Sequence, residues 1–203
     1  MSRAGEKTRQ SILNSAQRLI IGRGFAGASI DRIILDAGIT KGAFFYHFKS
    51  KAKLAEALFQ RYIDHDLEIL RNICETAERM SDDPKQRVLI ILGLYAEMLD
   101  SMQDDGYGCL YASYAYQQLE FPTELGPLIR SWVEDYTTVM RPYYQAAMTE
   151  EMARQNTTAD DLTTQLMIIF EGAFVIANVK LNVTLPGNQL RLYRAQLEAL
   201  FKL

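Results

Sequence analysis

Residues 29–53 read SIDRIILDAGITKGAFFYHFKSKAK. Ser29 is placed to cap a helix. Ile30, Ile33, Ile34 and Ala37 would form its buried face. Gly38 stops that helix, Ile39 anchors the turn, and Thr40 caps a second helix running to about Phe48. Phe44 and Phe48 stand four apart and share a face, which we assign to the core. Thr40, Lys41, Phe45 and Tyr46 then point outward, where aromatic rings need a partner to explain them. Gly42 lies in the first turn, where glycine costs on the order of 1 kcal/mol against alanine. Close approach of the backbone to a partner explains that loss. The stretch is therefore read as a helix-turn-helix whose second helix enters a DNA major groove.

Working outward, Ile12, Leu13, Ala16, Leu19 and Ile20 make an apolar stripe on a first helix from about Thr8 to Arg23. Gly22 and Gly24 end it, Gly24 as a left-handed C′ residue, and Phe25 returns to the small core. On the other side Ser50 caps a fourth helix reaching about Met80, roughly 45 Å at 1.5 Å per residue. Such a helix leaves the basic head and enters the rest of the chain. Pro84 starts the next helix, which carries Val88, Leu89, Leu92, Tyr95, Ala96 and Leu99 and ends near 104–106. A short aromatic-rich helix is expected over 108–120 and a longer one over 127–147, bent at Pro142. Residues 149–158 are polar and read as a loop. The strongly apolar stretch 159–183 reads as a helix, and Pro186-Gly187 as a turn into a last one over 188–202. Nothing alternates as a strand would. The fold class is all-α with about nine helices: a three-helix head over residues 1–53 and a larger helical body over 54–203.

The net charge of −3 hides an asymmetry. Residues 1–53 hold ten Lys and Arg against three acids, and residues 54–203 hold 12 against 22. A basic head on an acidic body suggests a polyanion for the head alone. Cys74 and Cys109 are too few for a disulfide framework, and His47 and His65 too few for a His-rich metal site. No Ser/His/Asp set, metal-ligand cluster, phosphate-binding glycine loop or nucleotide fingerprint is present, so neither an enzyme nor a cofactor is expected. We expect no membrane span, since no run of about 18 apolar residues stands out. The polar start MSRAGEKTRQ lacks a signal peptide's apolar stretch, and a cytoplasmic protein is expected.

The order helix, glycine-containing stop, SIDRIILDAG, ITKGAFFYHF, KSK resembles the N-terminal domain of the tetracycline-repressor (TetR) family, over about residues 8–54. The spacing of Gly38, Lys41-Gly42, the aromatic cluster Phe44–Phe48 and Lys51 carries the resemblance. It implies that Thr40, Lys41 and Gly42 begin the recognition helix, with Lys41 on guanine or phosphate. Phe45 sits where the family commonly has tyrosine and offers only an apolar contact, for instance to a thymine methyl. Tyr46, His47, Lys51 and Ser29 match phosphate-contacting positions, which set register rather than sequence choice. The resemblance also implies a homodimer on a pseudo-palindromic double-stranded operator, joined through helices at about 159–183 and 188–202. Gly172, Ala173 and Ala177 are small enough for close helix approach. A ligand in the body would shift the fourth helix, change the separation of the two heads and lower DNA affinity.

Residues 107–144 hold seven of the eleven tyrosines and the only tryptophan. Tyr107 is the first of those tyrosines. The enrichment suits a cavity for a small, mostly apolar or aromatic effector. The candidate lining is Tyr95, Met98, Met102, Cys109, Tyr111, Tyr114, Trp132, Tyr136, Met140, Phe170 and Phe174. A packed aromatic core is the plainer account. Cys109 starts a helix, and its GCL stretch resembles family members that respond to electrophiles or oxidants; a small buried hydrophobe explains it as well. Besides a regulator, the sequence admits a helical interaction protein without DNA binding.

Overall fold

The structure is a computed structural model and describes residues 3–101 and 109–201. Its elements are α1 (Arg3–Gly27), α2 (Ile30–Ala37), α3 (Lys41–His47), α4 (Lys51–Met80), α5 (Pro84–Ser101), α6 (Leu110–Tyr116), α7 (Leu125–Ala147), α8 (Glu150–Arg154), α9 (Ala159–Lys180) and α10 (Leu185–Phe201), with one 3-10 turn at Gln118–Glu120. Among the described residues there is no strand, and the chain is all-α as expected. It forms two compact units that do not follow chain order: Met1–His65 with Gly108–Trp132, and Asp66–Tyr107 with Val133–Leu203. Both α4 and α7 contribute to each.

The first unit is built on the α1 stripe. Ile12, Leu13, Ala16 and Ile20 are buried, with Ile33 of α2, Phe44 and Phe48 beside α3, and Leu54, Leu58 and Phe59 of α4. Arg61 of α4 ties this packing to α1 by donating to the side-chain oxygens of Gln10, Asn14 and Gln17 at 2.7–2.9 Å. Gly24 differs from expectation. Its φ of 73° is positive, but its ψ of 168° is extended rather than left-handed helical, and a final helical turn continues to Gly27. Only glycine occupies that region readily. The cause lies far away in sequence: a Cβ here would sit 2.6 Å from Oε1 of Gln117. That same oxygen accepts the Phe25 N–H at 3.0 Å, and the Phe25 ring stacks on Phe121 at 4.4 Å. The segment after α6 therefore holds the end of α1, which is why Gly108–Trp132 joins the first unit.

In the second unit α10 packs on α5 and α9. Val88, Leu89, Ile91, Leu92, Tyr95 and Ala96 of α5 meet Leu190, Tyr193, Leu197 and Phe201 of α10 in a buried core. The Tyr193 hydroxyl donates to the Leu162 carbonyl at 3.2 Å, satisfying a polar group that would be costly to bury alone. Thr158 and Asp161 form a reciprocal capping box at the start of α9. Two expectations are corrected. Residues 149–158 are not only a loop: the Thr149 hydroxyl accepts from the Met152 N–H and starts α8. Pro186-Gly187 lies inside the first turn of α10, where a proline's missing N–H costs nothing. α9 also departs from the expectation about membrane spans. It is long and apolar enough to cross a bilayer by length and composition, with a mean hydropathy of 1.6 over its best window. Only 28% of that window is buried, and Ile168, Ile176 and Val179 are exposed.

Candidate nucleic-acid interface

Each end of the α2–α3 hairpin is fixed by one short polar contact. Ser29 Oγ accepts the Arg32 N–H at 3.3 Å, and Thr40 Oγ1 accepts the Ala43 N–H at 3.1 Å. Between them Gly38 adopts the left-handed conformation (φ 64°), and its N–H caps the last carbonyls of α2. Phe44 and Phe48 face inward as expected, and of the α2 residues only Ile33 is fully buried. The hairpin is held against α1 by an Arg18–Asp36 ion pair at 2.6 Å and by the Ser11 hydroxyl donating to the Ala37 carbonyl at 3.3 Å. Hydrogen bonds from Ser15 and Arg18 hold the Asp36 carboxyl below the ordinary carboxylate value. Arg9 lies over the Phe48 ring at 5.5 Å.

These constraints leave one side of α3 outward. Thr40, Lys41 and Gly42 are exposed, Phe45 is 37% and Tyr46 71% exposed. Tyr46 meets the half-buried His47 edge to face at 5.0 Å. His47 Nδ1 is buried without a hydrogen-bond partner among the described residues. A Cβ at Gly42 would meet nothing nearer than Thr40 Oγ1 at 3.9 Å, so internal packing does not demand that glycine. The exposed row holds a cation, a bare stretch of backbone, an apolar ring and a phenol. That set can approach a groove, contact a base edge and donate to phosphate. Lys49 donates to the Phe45 carbonyl at 3.2 Å. Lys51 stands apart from the row. Its ammonium donates to the Phe25 carbonyl and lies 4.0 Å from the centre of the Phe25 ring, and burial lowers its pKa.

The described residues among the eleven read as a ligand lining are divided between the two units. Cys109, Tyr111, Tyr114 and Trp132 lie in the first unit, where Tyr111 stacks on Trp132 at 3.7 Å and Tyr114 packs near Phe59 and Phe121. Tyr95, Met98, Tyr136, Met140, Phe170 and Phe174 lie in the second, where Tyr95 meets the Phe170 ring edge to face at 5.0 Å. Met102 and Tyr107 fall outside the described residues. Burial pushes the Tyr95, Tyr136 and Tyr144 phenols well up, and the Tyr95 and Tyr136 hydroxyls act on each other. Cys109 caps the seven-residue α6 and is buried.

A cleft of about 460 Å³ in the second unit is lined instead by Arg71, Cys74, Glu75 and Glu78 of α4, Pro84 and Arg87 of α5, and Val139, Pro142, Tyr143 and Ala146 of α7. None of these is in the ligand lining read from the sequence, although Pro84, Pro142 and Cys74 figure there for other reasons. The signal was there: 71, 74, 75, 78 and 139, 142, 143, 146 are each one helical face. The Tyr143 hydroxyl donates to Glu78 Oε1 at 2.7 Å, and burial pushes the Cys74 thiol up to about 12.

Residues 12–58 match the family model described as bacterial regulatory proteins, tetR family. The transcriptional repressor DhaR of Mycobacterium sp. (strain GP1) is 25% identical over 132 residues, 63% of each chain. The TetC protein of transposon Tn10 from Escherichia coli is 41% identical over 58 residues, 29% of each chain. The matched stretches thus span less than two thirds of these relatives' length. A TetR-family transcriptional regulator from Agrobacterium tumefaciens superposes with a TM-score of 0.75 at 19% identity, covering 95% of this chain and 98% of that one, so the fold is shared along nearly the whole length. The hairpin geometry and its exposed α3 thus fall within the stretch, residues 12–58, that matches the model of the tetR family of bacterial regulatory proteins.

Proposed function

We propose that the protein is a ligand-responsive transcriptional repressor that binds a pseudo-palindromic DNA site as a homodimer. One observation carries this reading: α3 is capped and buttressed from within, yet leaves Lys41, Gly42, Phe45 and Tyr46 exposed, with nothing in the interior requiring a glycine at 42. In this reading Lys41 contacts a guanine edge or a phosphate, and Gly42 admits the DNA backbone. Phe45 meets a thymine methyl, while Ser29, Thr40, Tyr46 and His47 hold phosphates. Lys51, engaged on Phe25, positions the end of α1 rather than a phosphate. The name of the similar DhaR supports repression over activation, and a cytoplasmic location follows from work on DNA.

The exposed apolar residues of α9 and α10 support the dimer: Ile168, Ile176, Val179, Leu192 and Leu200 remain uncovered, and no atom lies within 4 Å of where a Gly172 Cβ would be. Exposed apolar side chains on both helices suit a symmetric helix bundle. An effector in the second unit lowers DNA affinity through linkage between the two sites. The test starts with selection of bound sequences from a random DNA pool. Gel shifts then use Lys41→Ala and Tyr46→Ala, and light scattering uses Val179→Glu. Unchanged DNA affinity and salt dependence in both head variants would remove the groove assignment, and an intact Val179→Glu dimer would remove the α9 interface.

A further inference from the structure

The α4–α7 cleft has the size of a small-molecule site, falling within the roughly 300–1,000 Å³ such sites occupy. Its walls are apolar where α7 and α5 face it: Pro84, Val139, Pro142 and Ala146. The buried Cys74 also lines it, and burial keeps its thiol protonated and uncharged at neutral pH. The charged groups around it are mostly committed. Glu78 accepts from Tyr143, Glu75 is 3.9 Å from Arg79, and Arg87 donates to the Ser81 carbonyl at 2.6 Å. Arg71 differs: among the described residues its guanidinium makes no hydrogen bond or ion pair. The free valence of the cleft is thus a planar fork of N–H donors beside an apolar wall. A fork of that shape matches a carboxylate in two parallel bonds. A cationic ligand would meet Arg71, which repels it, and Glu78, which already accepts from Tyr143.

We infer that this cleft binds an amphipathic carboxylate, with its acid group on Arg71 and its apolar body against Pro84, Val139, Pro142 and Ala146. This rests on the reading of the second unit as the effector-binding part, and it names the site and ligand class within it. The expected ligand is a monoanion with a flat or branched apolar body, since a second charge would meet Glu75 and Glu78.

The experiment is calorimetric titration of the full-length protein with 1-naphthaleneacetate and, separately, with its uncharged amide. Arg71→Gln changes only an exposed side chain, and Ala146→Trp fills the wall; circular dichroism checks that both fold. The acid is expected to bind the wild type. Arg71→Gln should weaken it by about tenfold or more, the scale of a charge-assisted hydrogen-bond pair, and the amide should be weaker by a similar factor. Ala146→Trp should exclude both. No binding of the acid overturns the inference, as does equal binding by the wild type and Arg71→Gln, or equal binding of acid and amide. A gel shift on the same preparations separates this from the regulator reading. DNA bound without acid bound removes the cleft and leaves the regulator. Acid bound as expected with no DNA selected from the pool removes the regulator and leaves the cleft.

Discussion

Tyr46 and Tyr144 are the same residue in opposite circumstances. Tyr46 is 71% exposed on a seven-residue helix, while Tyr144 is fully buried on α7 with its phenol directed toward Tyr193. The first unit holds its outward aromatic side chains in place by edge contacts, Phe45 on Phe44 and Tyr46 on His47, and leaves them exposed. The second folds Tyr95, Tyr136 and Tyr144 into the core, where burial pushes their phenol pKa values well up. Aromatic enrichment by itself therefore does not mark a binding site. The proposed sites rest instead on side chains left exposed and without an internal hydrogen bond among the described residues, Lys41 in the head and Arg71 in the cleft.

The sharpest way to break this contrast is to truncate both tyrosines. Tyr144→Ala should cost about 3–5 kcal/mol, the usual range for emptying a buried aromatic site. Tyr46→Ala should shift stability by less than about 0.5 kcal/mol while weakening DNA binding. Denaturant melts of both variants decide it, and a small loss at Tyr144 would mean that the second unit is not tightly packed there. A narrower contrast sets Lys41 against Lys51. Lys41→Ala is expected to cost roughly 1–3 kcal/mol of DNA affinity, or to lower the salt slope by about one if its partner is a phosphate. Lys51→Ala should leave that slope unchanged and reduce thermal stability instead, because its ammonium serves the Phe25 carbonyl. Equal slopes lost in both would return Lys51 to the phosphate contacts.

Gly42→Ala probes the same surface more gently. No internal clash awaits the added methyl, so the isolated protein should gain up to about 1 kcal/mol of helix stability. DNA affinity should nevertheless fall, and a variant that gains stability at full affinity would show that no backbone approaches there. The smallest effect expected concerns Asp36. Ser15 and Arg18 hold its folded-state pKa below the unfolded value, so the ion pair contributes stability above the ordinary carboxylate range. That contribution disappears as pH falls through the depressed value. Asp36→Asn should flatten the acid limb of the stability curve, with little change at neutral pH because the pair is largely exposed.

Much of the head was legible because its signals are local. Ser29 and Thr40 bond backbone groups three residues away, Gly38 needs only its own dihedral, and Phe44 and Phe48 share a face by helical geometry. The helices of the second unit were legible for the same reason, apart from the short α8, whose Thr149 cap was hidden in a polar stretch. The cleft of the second unit was not read from the sequence, because it needs two faces, one on α4 and one on α7, that lie more than sixty positions apart.

The sequence by itself determined the all-α class, the capped hairpin and the outward row on α3, since each depends on contacts within a few residues. Only the tertiary structure decided the rest. It turned Gly24 from a helix stop into the place where Gln117 closes on the chain, 93 positions away. It also placed the Lys51 ammonium on the Phe25 carbonyl and ring, and set one face of α4 beside one face of α7 to make a cleft. Those outcomes depend on which distant side chains compete for the same space and the same donors, and chain-local periodicity carries no record of that competition.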